Sequence, residues 1–263
     1  MKSQTENKTK TINKVLNIIL PVIAVAAIVF LWEMTAIIAD KDYLPSVGDT
    51  FVATIDLIVG KGAYSSVEFY RAFFGTLLRS IIAFAISFVL AFLVAFAAYK
   101  SEKAKRAIKP LIVIIRALPT IAVVLLLVLW TNSQVAPVIV TFLVVFPTLY
   151  NNLYAALCGI DKDLNEMCKV FGVEGKKRLK KVVFPQIAPE FISAAGAGLT
   201  LNLKLMVAAE VIAQTTHCMG YLLKNTKAYF EYPTMLALVL VTVITGLIIE
   251  WAFSFWAKKA VKQ

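Results

Sequence analysis

Long apolar runs without charges constrain this chain more than any other feature. Val15 to Trp32 runs eighteen residues without a charge, Ser80 to Tyr99 runs twenty, and Ala117 to Ile160 runs 44. A transmembrane helix needs about 20 apolar residues. Sixty per cent of the 263 residues are hydrophobic, and the mean hydropathy is +0.79. Water cannot wet that much apolar surface, so the sequence predicts an all-α polytopic membrane protein.

Six membrane spans account for these runs. The longest run is too long for one span, and a polar cluster at 131–134 followed by Pro137 divides it in two. Residues 15–257 are expected to form a single transmembrane domain between a polar tail at 1–14 and a short tail at 258–263. The expected spans are 15–38, 72–99, 110–130, 135–157, 189–213 and 233–256, with a long loop at 158–188.

The basic residues predict the orientation of these spans. Nineteen of the 27 lysines and arginines lie in the two tails and the loops 99–109 and 158–188, and five lie in the opposite loops. By the positive-inside rule, both termini and the long loop are expected in the cytoplasm. The formal net charge of +11 then reflects topology, and no nucleic-acid partner is expected.

The sequence lacks recognisable motifs for catalysis or metal binding. Cys158, Cys168 and Cys218 lack metal-ligand spacing, and His217 next to Cys218 is at most a two-ligand fragment. The sequence has no Walker-type glycine loop, no HExxH motif and no nucleophile beside a base. We therefore expect no metal site, no cofactor, no catalytic residue and no ATPase site in this chain.

The long loop holds the most informative pattern. Asp161–Gly172 is predicted to be a short helix, with Asp161 or Asp163 as N-cap and Gly172 as left-handed C-cap. Its apolar residues form one stripe, made by Leu164, Met167, Cys168 and Phe171. Five basic residues follow, and Pro185 is expected to stop that segment. The helix could lie on the inner leaflet or dock into a groove of a soluble partner.

This loop resembles the EAA-Gly-Pro loop of ABC importer permeases. Glu166-Met167-Cys168 stands at the EAA position, Gly172 follows four residues after Cys168, and Pro185 lies thirteen after Gly172. Further segments resemble the nitrate, taurine and aliphatic-sulfonate branch, in order from Leu31 to Glu250. They are Leu31-Trp32-Glu33, Leu44-Pro45-Ser46, Leu77-Leu78-Arg79, Arg116-Ala117-Leu118-Pro119, Phe146-Pro147-Thr148, Asn151-Asn152-Leu153, Val207-Ala208-Ala209-Glu210 and Gly220-Tyr221-Leu222.

The resemblance implies a homodimer of two six-span permeases in the bacterial cytoplasmic membrane. It also implies two docked ABC ATPases and an extracytoplasmic solute-binding protein that delivers a small solute. Small anions such as nitrate, taurine and sulfonates are the usual cargo of that branch, which also includes permeases for vitamin-precursor pyrimidines, so a small organic or inorganic anion is the expected solute. The helix of the long loop would enter a cleft of the ATPase. The residues implied in this coupling are Asp163, Leu164, Glu166, Met167, Cys168, Phe171 and Gly172.

Four of the ionisable residues inside the expected spans are candidates for a role within the membrane. Arg79 and Arg116 are near span ends and are expected to snorkel to the interface. Lys204 and Glu210 lie deeper and are about 120° apart around the helix, so they are not expected to pair with each other. Each then needs a partner on another helix or a place on the aqueous path, and both are candidates for the translocation path.

One other class of transporter uses the same membrane architecture. An ion-coupled secondary transporter usually relies on several intramembrane acids or histidines, often in inverted repeats. This sequence has one deep acid, Glu210, and no visible repeat. A secondary transporter therefore stays the alternative to the ABC importer.

Overall fold

A computed structural model describes residues 2–38, 44–173 and 175–261 of the chain. Within these ranges every regular element is a helix, which confirms the all-α prediction. The helices are α1 (Lys2–Ile38), α2 (Val47–Val59), α3 (Ser66–Lys100), α4 (Glu102–Ala117), α5 (Thr120–Trp130), α6 (Ala136–Cys158), α7 (Lys162–Val170), α8 (Gly175–Arg178), α9 (Phe184–Ala213), α10 (Met219–Ala228) and α11 (Tyr232–Val261).

Among the described residues, five helices are long and apolar enough to cross a membrane individually: α1, α3, α6, α9 and α11. The expected span at 110–130 is instead two helices, α4 and α5, which meet at a bend of 90°. The bend lies at Leu118 and Pro119, where Leu118 has an extended backbone. A proline disfavours helical geometry in the residue before it, which explains the break. Taken as one broken span, the pair brings the number of spans to six.

The core lies between α3, α6 and α9. Ala91 and Ala95 of α3 face Leu149 and Leu153 of α6, and Ala194 of α9 completes this buried cluster. Small residues on α3 let the helix axes approach closely, which suits helix packing inside a bilayer. The helix α11 packs along α9, and the short helices α2 and α10 fill the space beside them.

Helix boundaries differ from the sequence prediction most clearly in the two tails and at Pro185. The helix α1 begins at Lys2 and α11 extends to Val261, so the two tails are largely helical, and residues 262–263 lie outside the described residues. Pro185 does not stop the basic segment, because a π-helical turn at Leu179–Val183 runs directly into α9. The helical backbone therefore continues through Pro185 into α9, although the proline itself has no N–H to donate.

Candidate functional site

The first turn of α7 is capped by Asp161. Its Oδ1 atom accepts hydrogen bonds from the N–H groups of Asp163 at 2.8 Å and Leu164 at 3.4 Å. Asp163 therefore occupies the first turn, where its negative charge suits the helix dipole. The N–H of Asp161 donates to Oε1 of Gln186 at 2.9 Å, which ties the start of the loop helix to α9.

The other end of α7 closes on Gly172, which has a φ of +63°. The N–H of Val173 donates to the carbonyl of Cys168 at 2.8 Å, as in a Schellman motif. The predicted left-handed C-cap is confirmed. A Cβ at Gly172 would meet nothing within 4 Å, so the glycine is required by its backbone conformation and not by crowding.

The apolar stripe of α7 is divided between the outside and the inside of the chain. Leu164, Met167 and Phe171 are exposed, Phe171 by 73%. Cys168 is only 5% exposed, so the expectation that it reaches a partner with the other three is wrong. One residue along a helix turns the side chain by about 100°, which takes Cys168 away from Met167 and towards the chain itself.

Val170 belongs to the exposed apolar face, and the sequence reasoning missed it. It is 83% exposed and lies three residues after Met167, a helical spacing that could have revealed it. Asp163 and Glu166 are exposed as well. We call the four exposed apolar residues Leu164, Met167, Val170 and Phe171 the α7 face.

Lys204 is exposed on α9, among unusually small neighbours. From Glu190 to the end of α9, the exposed positions are Glu190, Ser193, Ala197, Lys204 and Ala208. The exposed positions of α11 differ, because they include Ile244, Leu247, Ile248 and Trp251. Large apolar side chains suit lipid, whereas small and charged ones suit a second helix or water.

Glu210 is fully buried and has partners on neighbouring helices. Its Oε2 atom accepts hydrogen bonds from Oγ1 of Thr76 at 2.7 Å and from the N–H of Gly220 at 3.3 Å. Its Oε1 atom lies 3.3 Å from Nη1 of Arg79. Of the two alternatives for this acid, the structure therefore shows the partner on another helix. Arg79 is wrongly predicted as a snorkelling residue, because its guanidinium points into this network.

Further hydrogen bonds extend the Glu210 network to the turn between α5 and α6. Arg79 Nη2 donates to Oε1 of Gln134, whose Nε2 donates to Oγ1 of Thr216 at 2.8 Å. The hydroxyl of Thr215 donates to the carbonyl of Ser133. The segment 214–218 is thus held between α3 and this turn. Sequence reasoning missed the ion pair between Arg79 and Glu210. The signal that could have revealed it is that the two residues carry opposite charges inside the expected spans.

Metal binding has no geometric support in the described ranges. Across residues 2–38, 44–173 and 175–261, no three His, Cys, Asp or Glu side chains are gathered where they could hold a metal ion. The three cysteines are free thiols.

Comparison with known proteins gives several relatives that are permeases. The formylaminopyrimidine transport permease protein ThiX of Halalkalibacterium halodurans is 24% identical over 233 residues, which cover 87% of this chain and 89% of that protein. The putative aliphatic sulfonates transport permease protein SsuC of Escherichia coli is 28% identical over 171 residues, 64% of each chain. The taurine transport system permease protein TauC of Escherichia coli is 21% identical over 194 residues, 73% of this chain and 70% of its own.

The fold and the family model agree with these relatives. A structure of the MetNI methionine ABC transporter in an inward-facing conformation matches with a TM-score of 0.63 and 18% identity, over 73% of this chain and 96% of that chain. The family described as binding-protein-dependent transport system inner membrane component matches residues 87–262. This match covers well over half of the chain, and the protein therefore belongs to that family, as a multi-pass membrane permease subunit of an ABC importer.

Proposed function

We propose that two copies of this chain form the translocation path of an importer that a separate pair of cytoplasmic ABC ATPases drives. An extracytoplasmic solute-binding protein delivers the solute. The observation that carries the proposal is the α7 face, an exposed apolar surface on a nine-residue helix and the residue directly after it. A helix this short is unstable in water alone, so its apolar face favours a partner surface. The ATP site belongs to the partner, since this sequence has no P-loop.

A protein groove suits the α7 face better than the inner leaflet does. Asp163 and Glu166 are exposed beside the apolar residues. The cytoplasmic leaflet is negatively charged and disfavours two carboxylates directly beside an inserted apolar face, although it would attract the lysines of α7 and of the segment after it. An amphipathic helix that inserts four apolar side chains into a groove, with acids at its rim, is a common way to join two proteins. We therefore assign the α7 face to the ATPase.

This assignment includes an orientation. The long loop with α7 carries much of the basic excess, and exposed lysines follow at Lys177, Lys180 and Lys181. With both termini in the cytoplasm, as the positive-inside rule predicts, α7 lies on the side where ATP is available. The segment 214–218 with its Glu210 network then lies towards the extracytoplasmic side.

The cargo that we propose is a small organic or inorganic anion such as a sulfonate, taurine or nitrate. Relatives are named for aliphatic sulfonates and taurine. Lys204 is exposed on a line of small and charged residues of α9, and we place it on the path between the two copies. One lysine there would attract an anion weakly, which permits release. Glu210 is enclosed and paired, so the proposed path rests on Lys204 alone.

The docking proposal is tested by copurification with the ATPase. Phe171→Ala removes the largest side chain of the α7 face and is expected to weaken docking by about 2 kcal/mol, or roughly 30-fold, as at an interface hot spot. Phe184→Ala is the matched control, because Phe184 is also exposed but lies on α9. Equal ATPase recovery with both variants would contradict the docking site.

Uptake into proteoliposomes distinguishes the importer from an ion-coupled carrier. The chain is reconstituted with its ATPase and solute-binding protein, and taurine or a sulfonate is supplied outside. Uptake is expected only with ATP on the ATPase side, whether or not an ion gradient is present. Uptake that follows an imposed ion gradient without ATP would instead support the secondary transporter.

A further inference from the structure

The helix α2 has its polar and apolar faces in the reverse of the usual arrangement. Its buried residues include Thr50 and Thr54, whose hydroxyls donate to the carbonyls of Ser46 at 3.0 Å and Thr50 at 2.8 Å. Gly48 and Asp49 are exposed in its first turn, and beyond that turn its outward face consists of large apolar side chains, 44 to 61% exposed. These are Phe51, Val52, Ile55, Ile58 and Val59. A helix on a water-facing surface turns its apolar stripe inward, so the environment of α2 is not water.

Contacts with α1 place the start of α2 beside a membrane span. The indole Nε1 of Trp32 donates to the carbonyl of Pro45 at 3.1 Å, and the N–H of Val47 donates to Oε2 of Glu33 at 2.9 Å. Trp32 and Glu33 lie within the apolar stretch Ile19–Ile38, several residues before α1 ends. A carboxylate at the first N–H of α2 also suits the dipole of that helix. The start of α2 therefore lies at the membrane depth of the last turns of α1, and not past the end of α1.

Packing against α11 gives the same depth. Leu57 of α2 belongs to a buried cluster with Ala237 and Leu238 of α11, and Ala53 packs against it. Leu238 is six residues after the start of α11 at Tyr232, which corresponds to about 9 Å along the helix axis. The middle of α2 thus lies level with residues inside a span.

The dimensions of α2 suit a position within one leaflet. Its 13 residues make about 20 Å of helix, which is too short for a hydrocarbon core of about 30 Å. At its N-terminus, a capping box of Ser46 and Asp49 provides acceptors for free backbone N–H groups. At its C-terminus, Gly60 is in the left-handed conformation and its N–H donates to the carbonyl of Asp56. The only other acid of the helix, Asp56, is half-buried near that end. Backbone polar groups are thus satisfied internally, as the bilayer requires.

From these contacts we infer that α2 is embedded in the lipid leaflet where α1 ends, with its outward apolar face against acyl chains. Under the orientation proposed above, this is the outer leaflet. The chain then has a further membrane-embedded element between its first two spans. The occupant of this surface is the bilayer itself, because the face is continuous in depth with the spans on which α2 packs.

Spin labels in proteoliposomes of the chain alone test this inference. In a background with Cys158, Cys168 and Cys218 replaced by alanine, nitroxides are attached to Ile55→Cys and, separately, to Val52→Cys. Collision with oxygen reports lipid, and collision with a water-soluble nickel chelate reports water. Ile82→Cys, exposed within α3, is the lipid reference, and Lys61→Cys, exposed after α2, is the water reference.

We expect both α2 labels to match the Ile82 reference, with an oxygen-to-nickel collision ratio several-fold above that at Lys61. Nickel accessibility equal to that at Lys61 would overturn the inference and place α2 in water. Protection from both reagents, with magnetic coupling between labels of two copies, would overturn it in favour of a dimer contact. Two label positions guard against a local disturbance by either substitution.

Discussion

Arg79 on α3 and Glu210 on α9 form an ion pair inside the bundle, with 3.3 Å between Nη1 and Oε1. The carboxylate is fully buried, whereas the arginine is 21% exposed. Hydrogen bonds from Thr76 and Gly220 satisfy the other carboxylate oxygen. One acid thereby joins α3, α9 and α10, and through Gln134 the arginine joins the turn between α5 and α6.

We predict that Glu210→Gln destabilises the fold by about 3 kcal/mol, because it leaves the Arg79 charge without its partner in a part-buried site. The measurement is the free energy of unfolding in mixed micelles. Glu250→Gln is the control, since Glu250 is an exposed acid on α11. Arg79→Met combined with Glu210→Gln is expected to recover part of the loss. An unfolding free energy of Glu210→Gln equal to that of Glu250→Gln would show that the ion pair does not stabilise the fold.

We predict that Gly220→Ala disturbs the same network by crowding. A Cβ at this position would lie 2.5 Å from Cβ of Glu210 and 2.7 Å from the backbone nitrogen of Val211. Because backbone cannot move aside as a flexible side chain can, we expect a loss of about 1–3 kcal/mol in unfolding free energy. Gly48→Ala is the control, with its nearest atom, Oγ of Ser46, at 3.6 Å. Equal stability of the two variants would show that the α9–α10 contact is looser than described.

We predict that Gly172→Val inserts in the membrane normally but loses ATP-driven uptake. Its left-handed backbone rejects a Cβ by about 1 kcal/mol, so the end of α7 would reorganise. Gly175→Val is a closely matched control, because Gly175 has a φ of +59° and equally open surroundings but does not cap α7. Normal uptake by Gly172→Val, or an equal loss in both variants, would contradict a specific role of the cap.

We predict that Lys204→Met slows uptake, while Lys204→Arg, which keeps the charge, retains most of it. In a background without the native cysteines, Lys204→Cys is expected to react with a water-soluble thiol reagent. Ile244→Cys, exposed on α11, is the control and is expected to stay unlabelled in lipid. If Lys204→Met transports at the normal rate and Lys204→Cys stays unlabelled in every state, the path assignment fails.

We predict that thiol reagents in detergent solution label Cys158 readily and leave Cys218 intact. Cys158 is exposed, whereas Cys218, in the segment after α9, is fully buried. Burial raises the pKa of the Cys218 thiol to about 12, so its reactive thiolate is scarce until the pH approaches that value. Mass spectrometry of peptides labelled at about pH 8 measures this. Labelling of Cys218 at the rate of Cys158 would show that the segment 214–218 opens.

Features that depend on residues within a few turns of helix could be predicted from the sequence. The apolar runs specified the membrane and the helical class, because lipid admits a span only if about 20 consecutive residues are apolar. The caps of α7 at Asp161 and Gly172 were predictable for the same local reason, since capping joins residues three or four positions apart.

Features that depend on distant residues required the tertiary structure. Arg79 and Glu210 are 131 positions apart, and nothing local indicates that α3 and α9 bring them together. The apolar stripe of α7 did not show that Cys168 is buried. The rest of the chain covers only part of that stripe, and the sequence does not show which part. The depth of α2 in the membrane follows from the hydrogen bonds at its start with Trp32 and Glu33 and from its packing against α11. Helical periodicity tells which residues share a face, and only packing decides what that face meets.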